Sequence, residues 1–150
     1  MDAQTPRGCT HFKLRQLARR VGRDYDAVLA TAGLKTSQYS LLNAIARLAP
    51  VRPGDLAAQM GLDASTLTRN LAPLVAAGWA SVGPGENLRT RSVELTDAGR
   101  AKLDEARRKW KSAQQALNAR LGTERVAQLH ALIDDCLALL EAADEETGHD

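Results

Sequence analysis

Between Asp63 and Trp79 the chain reads DASTLTRNLAPLVAAGW, and Ser65, Thr66, Thr68, Arg69 and Asn70 crowd its front half. Hydroxyls beside a helix N-terminus suit phosphate oxygens, and Arg and Asn can pair bidentately with guanine and adenine edges. A second group, Asn87, Arg89 and Arg91, lies in the turn-forming GPGENLRTR. An arginine-bearing loop tip can reach into a minor groove. Each group also has a plain reading: a solvated helix face, and arginines paired with Glu86 and Glu94.

Other chemistry is thinly represented. No set of nucleophile, base and orienting group and no phosphate loop occurs, so neither an enzyme nor a cofactor is expected. His11, His130 and His149 share no ligand spacing with one another or with Cys9 and Cys136, which speaks against a metal. Cys136 falls among the apolar positions of the last helical segment and reads as a small core residue. RRKWK, Arg107 to Lys111, reads either as a basic patch or as Trp110 packed inward between solvated neighbours.

The elements that must hold these groups are mostly helical. Leu14, Leu17, Val21, Tyr25, Val28 and Leu29 recur at helical spacing, predicting a first helix over 11–30. Thr36 can cap a second helix through SQYSLLNAIARLA, which PVRPGD breaks. Pro53 suits the first turn of a short third helix that Gly61 closes, and Asp63 is placed to cap a fourth. Inside that fourth helix Pro73 should cost about 3 kcal/mol, and a bend rather than a break is expected. Gly78 ends it; WASV and RSVEL then suit a hairpin of two short strands. Thr96 caps a long fifth helix with a stripe of Leu103, Ala106, Trp110, Ala113, Leu117 and Leu121. Gly122 and Thr123 separate it from a sixth carrying Val126, Leu129, Ile133, Leu137 and Leu140.

The 150 residues fit one domain with a helical extension. Net charge is only +2, yet residues 134–150 hold seven acids and no Lys or Arg. Removing those seven from the 18 acids leaves 20 basic groups against 11 acidic ones, a net of +9 for residues 1–133. A basic body with an acidic end suits a polyanionic partner. No stretch is apolar and long enough to span a bilayer, and Met1–Gly8 lacks the apolar core of a signal peptide, so a cytoplasmic location with no membrane partner is expected.

Short helices joined by the MGLD turn and followed by a hairpin specify a winged helix-turn-helix, a mainly α (α+β) fold flanked by a helical arm. Residues 36–96 form the winged domain, 1–35 and 97–144 the arm, and 145–150 a disordered tail. Asp55 to Gly99, above all STLTRNL and ELTDAG, resembles the MarR family of bacterial transcription regulators. The flanks, LKTSQYSLL and the two long helices, which look like the family's dimerisation arm, extend the similarity over about 12–140.

The resemblance implies a homodimer on a pseudo-palindromic double-stranded operator, acting as a repressor and released by a small aromatic or phenolic effector. His11, Arg15, Tyr39 and Trp110 are the residues expected to line the effector pocket, with the rings enclosing an aromatic body. Cys9 resembles the sensing cysteine of the family's peroxide-responsive branch, so a thiol-based regulator is an alternative. An adaptor that keeps the fold without using DNA is another. The family's wing usually carries Asp-x-Arg where this chain has Asn87-Leu88-Arg89; an amide can still hydrogen-bond the guanidinium, without the added strength of an ion pair.

Overall fold

The computed structural model describes residues 7–147. The elements run α1 (Thr10–Ala30), α2 (Thr36–Leu48), α3 (Pro53–Gln59), α4 (Ala64–Ala76), β1 (Ala80–Pro84), β2 (Arg91–Leu95), α5 (Asp97–Leu121) and α6 (Thr123–Thr147). They fall into two compact units divided inside α5, after Lys111.

In the first unit the helix-turn-helix grows from local signals. Pro53 opens α3, where its missing N–H is not needed, and Gly61 takes φ +63° to turn the chain toward α4. Thr36 does not cap α2: Lys35 holds that position, its N–H bonded by Gln38 Oε1 at 2.9 Å. The Thr36 hydroxyl donates instead to Asp26 of α1, an acceptor ten residues back that helix spacing does not reveal. Leu29, Leu42, Ile45, Leu56, Leu67, Leu74, Val93 and Leu103 are fully enclosed and form one core with Tyr39, Leu71 and Ala106. Each buried leucine contributes about 1.5–3 kcal/mol. Leu29 of α1 and Leu103 of α5 thus pack with the winged elements.

The hairpin is antiparallel, with Ala80 opposite Leu95 and Val82 opposite Val93. Val51, in the stretch that breaks α2 from α3, adds an antiparallel bridge: Val93 N–H donates to Val51 O at 2.8 Å and Val51 N–H to Val93 O at 3.3 Å. Pro73 leaves α4 continuous, with its ring exposed.

The second unit contains the end of α5 and α6, joined at Gly122 with φ +87°. Ala113 and Val126 are its buried apolar residues among those described. Cys136 is exposed, a correction to its reading as core. The apolar residues of α6 spread around the helix, so spacing alone did not tell which were covered; Leu137, Leu139 and Leu140 are exposed with it. Helix α6 also runs on to Thr147, so the tail expected from residue 145 is helical at its start, Glu being a good helix former. Residues 148–150 lie outside the described ones.

Candidate nucleic-acid interface

Asp63 organises the front of α4. Its Oδ1 accepts the Thr66 N–H and the Ser65 hydroxyl, each at 2.7 Å, satisfying helix donors that otherwise lack partners. The Thr66 N–H bond, followed by those from the Ser65 and Thr66 side chains, holds the carboxyl below its ordinary pKa. Leu67, Leu71 and Leu74 bury the inner face, which leaves Ser65, Thr68 and Arg69 exposed and Thr66 and Asn70 half-buried at its flanks.

The hydroxyls are not equivalent. Ser65 donates to Asp63 and Thr68 to the Ala64 carbonyl at 2.9 Å, whereas Thr66 Oγ1 accepts from Arg69 Nη2 at 3.4 Å. The Thr66 hydroxyl is also engaged with the Asp63 carboxyl, so all three hydroxyls must give up a bond within the helix to donate outward to a phosphate.

Thr90 closes the wing tip. Gly85 N–H donates to Thr90 O at 2.7 Å, and the Thr90 N–H and hydroxyl both donate to Asn87 O at 3.2 Å. A Cβ at Gly85 would meet Thr90 Oγ1 at 2.5 Å, so any side chain there would displace the Thr90 hydroxyl. The Asn87 amide, expected to hold the Arg89 guanidinium, instead accepts the Arg89 backbone N–H at 3.0 Å. A short Asn side chain reaches a backbone N–H two residues on more easily than a distant side-chain end. Among the described residues neither Arg89 nor Arg91 pairs with Glu86 or Glu94. Leu88, at the tip, is 96% exposed.

The wing root is tied to α5. Thr96 Oγ1 donates to Gly78 O at 2.6 Å and accepts the Gly99 N–H at 3.0 Å, capping α5 and holding the end of α4 in one contact. Gly99 lies so close to Trp79 that a Cβ would fall 1.8 Å from its carbonyl oxygen.

The MarR family model matches residues 32–87. The transcriptional regulator MosR of M. tuberculosis, solved in complex with DNA, is 32% identical, with 86% of this chain covering 98% of that one and a TM-score of 0.64. The chain belongs to the MarR family. E. coli MarR in its apo form superimposes with a TM-score of 0.73 at 25% identity, over 88% of this chain and 99% of that one. The HTH-type transcriptional regulator YwoH of Bacillus subtilis is 28% identical over 93 residues, 62% of this chain and 68% of its own. The protein is thus a MarR-family transcriptional regulator with a winged helix fold, in a family of regulators and not of enzymes.

Of the four residues expected to line an effector pocket, Tyr39 and Trp110 meet, while His11 and Arg15 lie apart from them. The Tyr39 ring stacks on Trp110 at 4.7 Å, and Tyr25 meets the same indole at 4.1 Å. The rings face one another and enclose no gap. His11 and Arg15 are exposed on α1, and at 1.5 Å per residue they lie roughly 21 and 15 Å along the helix from Tyr25. Burial raises the Tyr25 pKa. Trp110 points inward as one reading of RRKWK had it, and Arg107 donates from Nη2 to Asn43 Oδ1 at 3.0 Å.

Cys9 is exposed at the N-cap of α1. Among the described residues no group of three His, Cys, Asp or Glu could hold a metal, and no helix is long and apolar enough to cross a membrane.

Proposed function

We propose that this regulator binds a pseudo-palindromic DNA operator as a homodimer and represses transcription from it. The observation that carries the reading is the polar front of α4: Thr66, Arg69 and Asn70 stand on a helix whose N-terminus Asp63 locks. Arg89 and Arg91, free of Glu86 and Glu94, extend a basic surface along the wing. MosR and E. coli MarR have each been solved with DNA, which supports carrying the same partner to this chain. Such a role places the protein with the chromosome, in the cytoplasm.

A dimer is supported by the apolar side chains left in water: Phe12, Leu14 and Leu17 on α1, and Leu132, Leu137, Leu139 and Leu140 on α6. Surfaces of that kind on a lone chain favour association. In this division α1, α5 and α6 make the arm and residues 36–96 the reading head.

The test is direct: fluorescence anisotropy of the full chain with a duplex from upstream of its own gene and with a scrambled duplex. Specific binding of one dimer per duplex supports the reading; equal affinity for both duplexes overturns it. A second reading, thiol control, is favoured by the exposed Cys9. Hydroperoxide should release the wild type and not Cys9→Ser.

A further inference from the structure

Lys102 lies on α5, one turn beyond Gly99 and on the same face. Its stem is largely enclosed, the side chain being 22% exposed. The ammonium donates to the Ala32 carbonyl at 3.0 Å and to Glu105 Oε2 at 3.0 Å, and sits 5.3 Å from the centre of the Trp79 ring. Three donors thus meet a carbonyl, a carboxylate and an aromatic face.

These partners belong to three different places. Ala32 lies in the corner after α1, a buried residue whose carbonyl has left the helix ladder. Trp79 is the wing root, one residue past the glycine that ends α4. Glu105 is on α5 itself, and its bond to Lys102 holds its carboxyl below the ordinary pKa. None of the three is on the polar face of α4 or at the wing tip.

We infer that Lys102 is a positioning residue for operator binding: it fixes the angle at which α4 and the wing leave α5 and the corner after α1. The inference rests on the DNA-binding reading above. Gly99 lets the α5 backbone lie directly on the Trp79 carbonyl, and Lys102 locks that contact from one turn further along. Loss of the ammonium leaves Ser65 to Asn70 and Arg89 untouched. What changes is how firmly a reading head keeps its direction, which matters only when two heads must meet one duplex.

The experiment uses an operator selected from a random duplex library with the wild-type chain. Three duplexes are compared: the operator, the operator with one base pair inserted at its centre, and a single half-site. One base pair turns the half-sites by about 34–36° relative to each other. For Lys102→Met, which keeps the apolar stem, operator affinity should fall about tenfold while half-site affinity holds. The penalty for the insertion should shrink, and Lys102→Arg should restore both.

Equal loss on operator and half-site would make Lys102 a general stabiliser and overturn the inference. So would full retention of operator affinity and spacing preference. Should Lys102→Met fail to fold, Glu105→Gln is read on the same duplexes, with a smaller shift in the same direction expected and no shift overturning it. If the wild type selects no operator, the DNA reading fails and takes this inference with it; if it selects one and the variants match it, only the role of Lys102 falls.

Discussion

The Asp63 carboxylate accepts the Thr66 N–H at 2.7 Å, so the first turn of the proposed recognition helix is held by a charge. That charge is worth most where the carboxyl is ionised. Its pKa is depressed in the folded chain, so the stabilisation is present above the unfolded value and is lost as pH falls through the folded one. Below about pH 4 the wild type should lose thermal stability faster than Asp63→Asn, which caps without titrating. Scanning calorimetry from neutral pH downward checks this; parallel curves would refute it.

Arg69→Ala should weaken operator binding by about 1–3 kcal/mol and relax selectivity at one base pair of each half-site, with thermal stability unchanged. Asn70→Ala should lose a similar amount, accompanied by some stability because Asn70 is half-buried. Titrations against single-base operator variants separate the two.

At the wing, Arg89→Ala should lower affinity with little change in selectivity and reduce the slope of log K against log salt by about 1. Asn87→Asp keeps an acceptor for the Arg89 N–H and should bind nearly as the wild type does. Asn87→Ala should lose about 0.5–1.5 kcal/mol of binding as the tip loosens. Anisotropy at several salt concentrations reads all three.

Glycine substitutions should split by sign. Gly99→Ala drives a methyl into the Trp79 carbonyl and should destabilise by about 1–3 kcal/mol or more. Gly22, inside α1 with nothing within 4 Å of an added Cβ, should stabilise by about 0.5–1 kcal/mol when made Ala. Urea unfolding of both variants decides it.

Leu137→Glu combined with Leu140→Glu should shift the chain to monomer in sedimentation velocity and reduce operator binding while half-site binding persists. A wild-type chain that is monomeric at micromolar concentration would remove the basis for this.

Local chemistry made much of the fold legible. Asp63, Pro53, Gly61, Gly78 and Thr96 each act within a few residues of their own position, and their roles follow from helix ends and turns. Contacts closed over long sequence distances left no such mark. Val51 with Val93, Thr36 with Asp26, and Lys102 with Ala32 depend on how elements pack, which periodicity does not encode. The polar residues of α4 were readable because they break an apolar pattern. Thr90 was not, since a threonine in a loop looks the same whether it closes a turn or faces water. Tyr39 and Trp110 were picked out as aromatic groups of a pocket, but only packing shows that two rings have already filled the space between them.

The Val51 bridge changes how the wing can move. A hairpin alone would hinge freely at its root, and its tip would wander without disturbing anything behind it. Paired through both of its backbone groups to Val93, the hairpin is riveted to the joint between α2 and α3. Deflection of the tip in a groove must then strain that joint, so the wing behaves as a stiff cantilever with a soft end beyond Pro84. On the proposed DNA-binding reading, a groove of the wrong width would meet elastic resistance rather than accommodation, and the bridge would let the wing respond to duplex shape without touching a base.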